Sequence, residues 1–461
     1  MTYSLLIERD LFQTRACLLQ GDTLIDYLLE PAHHQSRKGQ IIKGRILKLD
    51  DALNAAFVDL GQNQSGLLPR KAIRGDKSSS LRDFFTEGQR LLVQIQKDPV
   101  DGKPAELTTF LELQTPTLIY RPLGSGIIFP GKWKDADKKA ALTKRVSDLP
   151  GEFRPRSRAE AEPLEVTFAA AKALHDQWQD IKSREGTAKK TVTLYTPPPQ
   201  AASLAQHLPP GEELEVLSND PKLIAAAKSL YGEDTPSEIW ARRESLLAHH
   251  GLEDTLTSLT EKQIALTGGG NITVEQTEAL VAIDVNSGTS DMGGGATEGP
   301  LSLNLVAAKE IARQIRLRNL SGILIIDFLR LQEKEARQAL NDALSRYIVD
   351  DPATVRLIGF TSLGLFEMTR QRTRPSLAHL LSLPAVPGAP EVSLRRASKL
   401  VTDFRQQLDA GQGARLTFTY GPAWQRFWKI TSSEISSHLG CHITGVAAKE
   451  TGPWDYDISP A

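Results

Sequence analysis

Apolar and polar positions alternate along the first thirty residues. In YSLLIE (3–8) and TRACLLQGDTLIDYLLE (14–30) the period is close to two, and Gly21-Asp22 falls between two such runs, which predicts a β-hairpin. The pattern continues in GQIIKGRILKLDDALNAAFVDLGQNQSGLLPRKAI (39–73), where Gly39, Gly44, Gly61 and Gly66 punctuate short strands. GQRLLVQIQKDPVDGKPAELTTFLEL (88–113) adds two more around a turn at Asp101-Gly102. Short strands at this density predict a small closed barrel of the OB type.

The period then changes. KWKDADKKAALTKRVSDLP (132–150) and AEPLEVTFAAAKALHDQWQDIKSRE (161–185) read as charged amphipathic helices, and YTPPPQ (195–200) breaks the chain. Residues 271–380 read as strand, glycine-rich loop, helix, strand, helix, strand. In LNLVAAKEIARQIRLRNL (303–320) one helix face carries Leu305, Ala308, Ile311 and Ile315, with Ser321-Gly322 as its stop. LPAVPGAP (383–390) reads as a linker into a last small unit with one helix, SLRRASKLVTDFRQQLDAG (393–411), and several strands.

Two apolar runs in that region finish on a carboxylate: ALVAIDVNSG (279–288) at Asp284, and GILIIDFLR (322–330) at Asp327. Strand, helix, strand is a βαβ crossover, which makes the two strands parallel and brings both aspartates to the same end of one sheet. Adjacent carboxylates repel, and a raised pKa or a cation between them relieves the repulsion. Oxygen donors without a neighbouring Cys or His favour Mg²⁺ or Mn²⁺ over zinc. Asn286, further along the same face, can hydrogen-bond a carboxylate or a phosphate oxygen. An aspartate at a strand tip is also an ordinary turn former. The loop SGTSDMGGGATEGP (287–300) offers backbone amides to a phosphate or is simply flexible. Arg370, Arg372 and Arg374, at alternate positions after a strand-like run, form either a phosphate-binding stripe or a solvated turn.

On the barrel, Phe57 is a candidate base-stacking platform or a core residue, and Lys43, Arg45, Lys71 and Lys103 are candidate phosphate contacts. Arg154, Arg156 and Arg158 in RPRSR could recognise a terminal phosphate. Charge sharpens this picture: 55 Lys plus Arg against 56 Asp plus Glu exclude a uniformly basic surface, so a polyanion must be met by local clusters. Cys17 and Cys441, far apart and outside any CxxC spacing, fit a reducing compartment and supply no zinc motif. No apolar run approaches the roughly 18–20 residues of a membrane span, so a cytoplasmic location is expected. With 461 residues, several structural units are expected.

TEALVAIDVNSG (277–288), NLVAAKEIARQIRLRNLSGILIIDF (304–328) and LGLFEMTRQRTRPSL (363–377) resemble the catalytic region of the ribonuclease E/G family, and GRILKLDDALNAAFVDLG (44–61) and AELTTF (105–110) resemble its start. The resemblance implies an α/β multidomain fold: an RNase H-like subdomain (1–36 and 211–270) interrupted by an OB-fold, S1-type barrel (37–118) and a 5′-sensor subdomain (119–210). A DNase I-like catalytic subdomain (271–382), a linker (383–390) and a small C-terminal α+β domain (391–461) follow. It also implies Mg²⁺-dependent endonucleolytic cleavage of single-stranded A/U-rich RNA in processing or decay, with dimerisation.

Residue by residue, the family's metal-binding aspartates fall on Asp284 and Asp327 and its asparagine on Asn286. Its RNA-contacting barrel residues fall on Phe57 and Lys103, and its Arg-Thr sensor pair on Arg156-Ser157. Leu67 stands where the family has a second barrel aromatic. After TRPSL the family's CPxC zinc link is missing, since the chain runs AHLLSLPAVPGAP. No zinc is therefore expected, and a homodimer would rest on protein contacts. The chain ends soon after the small domain, which resembles the ribonuclease G branch. An RNA-binding protein of this fold without catalysis is the alternative, and a phosphatase or nucleotide-binding enzyme a more distant one.

Overall fold

The computed structural model describes all residues except 1, 76–78, 100–102, 132, 210, 243, 289–297, 410–414 and 449–450. The expected turn at Asp101-Gly102 and most of the glycine-rich loop lie outside the described residues. Thr2–Arg9, Gln13–Gln20 and Thr23–Pro31 form an antiparallel meander, with Gly21 turning the predicted hairpin at φ 56°. The strand Glu213–Ser218 returns across two hundred residues of chain to lie parallel to Thr2–Arg9, and Ser237–Ile239 pairs parallel outside it. One RNase H-like sheet is thus built from two distant stretches, and everything between them is an insertion.

The first insertion is the barrel. Ile41–Asp50, Ala55–Gly61, Gln64–Pro69, Ala105–Thr108 and Arg90–Lys97 pair in that order, and Ile41–Asp50 pairs again with Arg90–Lys97 to close it. Closure forces backbones together at Gly44, where a Cβ would meet Val58 Cγ1 at 2.6 Å and the Asp59 carbonyl at 2.9 Å. Val192–Tyr195, just before the proline break, adds to the barrel beside Ile41–Lys43, so the sensor's last segment is stitched back onto it. The sensor itself has a small sheet containing Leu118–Arg121 and Glu152–Pro155, packed against the helices Ala136–Val146 and Leu164–Thr187.

In the catalytic subdomain the sheet order is Gln263–Ala265, Asn271–Gln276, Leu280–Asn286, Gly322–Asp327, Phe366–Arg370, Val355–Phe360. The final strand-like run is two antiparallel strands, not one, because Thr361–Gly364 turns the chain between them. The helix Glu298–Leu317 buries Ala308, Ile311 and Ile315 as its period predicts, with Leu305 only half-buried and Leu303 and Ala307 deeper. Its stop is Asn319 rather than Ser321-Gly322: Asn319 takes φ 49°, and Leu320 N–H bonds the Ile315 carbonyl.

The 383–390 connection is packed, not loose. Ala385, Val386 and Ala389 are buried in a core shared by the RNase H-like sheet and the C-terminal helices Leu394–Asp409 and Gln425–Leu439. The stretch turns back on itself, with Ala385 N–H bonded to the Val392 carbonyl and Gly388 at φ 92°, and its small side chains fill the seam. The core of the C-terminal domain is thus continuous with that of the first sheet; Phe12, in the turn before Gln13–Gln20, contacts Phe427 ring to ring at 5.6 Å.

Candidate active site and nucleic-acid interface

Leu280–Asn286 and Gly322–Asp327 are parallel neighbours, and Asp284 is the register partner of Asp327. Alternation decides what the two carboxylates face. Val281, Ile283 and Val285, with Leu324 and Ile326, are buried against the helices. Asp284 and Asp327 project from the opposite face, which no helix among the described residues covers; Ile323 on that face is 51% exposed. An apolar run can end on a carboxylate here because one side of the sheet is open.

Adjacent strands lie about 4.8 Å apart, so the two carboxylates are within reach of one ion. Asn286 Nδ2 donates to Asp284 Oδ2 at 2.9 Å. Thr273 lies directly across from Asp284 on the antiparallel neighbour, and Asn271 across from Asn286. The Asn271 Oδ1 is buried without a hydrogen-bond partner among the described residues, an acceptor beside the site. Gly270 lets the preceding turn close on this strand end: a Cβ there would stand 2.4 Å from the Asn286 carbonyl oxygen. Two exposed carboxylates, an oriented amide and no sulfur or imidazole donor suit a hard divalent cation.

Asn304 was not among the residues singled out from sequence. It is fully buried, its Nδ2 donates to the Leu329 carbonyl at 2.8 Å, and its Oδ1 accepts from Leu329 N–H at 3.0 Å. The crossover helix thereby clamps the chain two residues beyond Asp327. The signal was present in the sequence as a polar residue on the apolar helix face, shared with Gln314.

The arginine stripe does not exist. Arg370 follows Phe366 and Met368 on the core-facing side of its strand, is 2% exposed, and makes a two-pronged ion pair with Asp351, both contacts 2.9 Å. Arg374 donates to Asp26 at 3.1 Å and to the Tyr27 carbonyl at 2.9 Å. Both lie at a strand end or in the following loop, so the period of two does not carry through. Arg372 alone is exposed.

On the barrel, Phe57 stands between the buried Ala56 and Val58, so its half-buried ring is on the outer surface and not in the core. Its register partner is Leu67, which in turn pairs with Glu106. Arg45, Lys71 and Lys103 are exposed. Lys43 is otherwise engaged: its Nζ donates to the carbonyls of Glu185 and Ala188 at 2.8 and 2.9 Å, capping the long sensor helix, and it is no longer a free phosphate contact.

In the sensor, Arg154 pairs with Glu152 and Arg158 with Glu162. Among the described residues Arg156 has no carboxylate partner and its Nε is buried without a hydrogen-bond partner; it donates to Gln114 Oε1 at 2.6 Å. Burial holds its guanidinium below the usual arginine value. Ser157 beside it is exposed. Barrel, sensor, RNase H-like and catalytic subdomains meet around a cleft of about 890 Å³, lined by residues that include Lys71, Phe110, Gln114, His207 and Arg374.

A sheet built from two distant stretches, an inserted closed barrel and an open sheet face with paired aspartates define an α/β multidomain protein. Residues 113–373 match the model of the Ribonuclease E/G family, and residues 35–109 match the S1 RNA binding domain. The chain belongs to the ribonuclease E/G family. It is 29% identical over 384 residues to Ribonuclease E of Haemophilus influenzae, an alignment covering 79% of this chain and 41% of that protein. Against Ribonuclease E of Escherichia coli K12 it is 29% identical over 389 residues, 79% of this chain and 36% of the relative. Against Ribonuclease G of the same strain it is 29% identical over 402 residues, covering 83% and 82%. The chain thus spans about two-fifths of the two ribonuclease E proteins. No helix among the described residues is long and apolar enough to cross a membrane.

Proposed function

We propose that the protein is an endoribonuclease acting on single-stranded, A/U-rich RNA in RNA processing or decay, with Mg²⁺, or Mn²⁺ in its place, held by Asp284 and Asp327. The observation that carries this reading is the register pairing of the two aspartates on an uncovered sheet face. When bound, the ion supplies a Lewis acid that withdraws charge from the phosphate and makes water a better nucleophile. Asp284 and Asp327 hold it in place, and Asn286 keeps the Asp284 carboxylate from rotating. Phe57, with Arg45 and Lys103 on the same barrel, stacks a base and meets the backbone; Arg372 is an exposed cation contributed by the catalytic subdomain. Water attack forms a new P–O bond as the bond to the 3′ oxygen breaks, which leaves 5′-phosphate products.

Arg156, with Ser157, is the candidate contact for a 5′ phosphate, supported by its unpaired guanidinium edge. The three family ribonucleases named above lend the activity its class. The test is a 5′-labelled A/U-rich oligonucleotide incubated with the full chain and Mg²⁺, with and without chelator. Cleavage abolished by the chelator supports the reading. Binding without cleavage in either condition would leave an RNA-binding protein of the same fold, and absence of binding would remove both.

A further inference from the structure

Phe110 lies outside the machinery just described, and its packing does not account for it. The side chain is 48% exposed, while Thr108, two residues before it, and Leu111, just after it, are 7% and 2% exposed. The backbone that carries the ring is fastened down. The Ala72 carbonyl accepts from Thr109 N–H at 2.9 Å and from the hydroxyls of Thr108 and Thr109 at 3.2 and 3.3 Å, and Phe110 N–H donates to Thr108 Oγ1 at 3.0 Å. A ring held outward on anchored backbone is preorganised, and it loses little entropy when something covers it.

The same bonds bring two cations alongside. Lys71 precedes Ala72, and Arg74 N–H donates to Thr109 Oγ1 at 2.8 Å. Both side chains are exposed and form no ion pair among the described residues, whereas Lys97 close by is neutralised by Glu106 at 2.6 Å. Phe110 and Lys71 line the 890 Å³ cleft. Phe57, Leu67 and Glu106 lie in register across three strands, so the Ala105–Thr108 strand runs from the first aromatic platform to this cleft. A free phosphate would not need the ring, and an apolar protein segment would not need the cations. A single-stranded nucleic acid uses both, with a base on the π-face and phosphates on the cations.

We propose that Phe110, with Lys71 and Arg74, forms a second base-stacking site for single-stranded RNA at the cleft, separate from Phe57. This rests on the reading of the protein as an RNA-directed ribonuclease. The test is fluorescence anisotropy of a labelled A/U-rich oligonucleotide with the full chain in chelator, so that the RNA stays intact. Phe110→Ala is expected to raise Kd about 5- to 100-fold, in line with stacking by one base. Phe110→Trp should keep wild-type affinity, and Phe110→Leu, which retains apolar area without a π-face, should behave like the alanine variant. Lys71→Ala and Arg74→Ala should each flatten the dependence of log Kd on log salt by about one ion. Wild-type affinity in Phe110→Ala, or in Phe110→Leu, overturns the proposal while the ribonuclease reading stands. Failure of the wild type to bind removes that reading and the proposal with it.

Discussion

Asn286 fixes one oxygen of Asp284 through a 2.9 Å hydrogen bond, and the other oxygen has no hydrogen-bond partner among the described residues. An amide in this place donates without adding charge, so it orients the carboxylate and leaves its affinity for a cation intact. Asn286→Ala should therefore keep RNA binding and lower the cleavage rate about 10- to 100-fold, the usual effect of losing a partner that orients a ligand residue. Single-turnover cleavage measured at increasing Mg²⁺ checks this. A partial recovery at high Mg²⁺ is expected, and a wild-type rate at low Mg²⁺ would remove Asn286 from the site.

Asp327→Asn tests the carboxylate pair more severely. The substitution preserves shape and removes half the anionic charge available to an ion. Cleavage should fall by at least about a hundredfold, since charge stabilisation of several kcal/mol is lost, while oligonucleotide binding measured by anisotropy should persist. Full activity in the variant with added Mg²⁺ would defeat the assignment.

Asn304 acts at one remove. Its two hydrogen bonds to Leu329 hold the segment following Asp327, and the Asn304 side chain that makes them is fully buried. Asn304→Ala leaves a backbone N–H and C=O unpaired, which should cost about 1–3 kcal/mol of stability. Asn304→Leu should not recover it, because the missing partner is polar. Urea unfolding followed by circular dichroism gives the stability, and the cleavage rate of the still-folded fraction shows whether Asp327 has moved.

The alternation of apolar residues was enough to place the barrel, the hairpin at Gly21 and the two aspartate-bearing strands, because burial on one face of a strand leaves a period-two record in sequence. Asp284 and Asp327 were legible for the same reason: a carboxylate closing a β-branched run breaks the pattern. Arg370 was not legible. Its exposure depends on Asp351, nineteen residues earlier, which pairs with it in the interior, and periodicity carries no information about a partner of that kind. The same holds for Lys43, whose acceptors are carbonyls at the end of a distant helix. The 383–390 stretch reads as a linker from its prolines, yet the surface that buries Ala385 and Ala389 comes from both ends of the chain.

That seam between the ends of the chain carries a titratable group. Glu8 is 2% exposed. Its carboxylate accepts from Arg15 at 2.9 Å, Ser245 Oγ at 2.6 Å, Leu247 N–H at 3.2 Å and Arg405 at 3.5 Å, joining the first strand to the Leu246–His249 helix and the C-terminal domain. Burial pushes the carboxyl up, but Arg15, the Ser245 hydroxyl and Arg405 outweigh it and hold the group below its usual value of 4.5. A carboxyl depressed in the folded state stabilises it at every pH above the unfolded value. As pH falls below about 4.5, the unfolded chain takes up the proton first, and the contribution disappears through the folded-state pKa. Glu8→Gln should thus be less stable than wild type by about 3 kcal/mol at pH 7, and the gap should narrow as pH drops below 4.5. Urea midpoints at pH 7, 5, 4 and 3 for both proteins measure it; a gap constant across that range would show that the lost contact, and not the charge of Glu8, holds the two ends together.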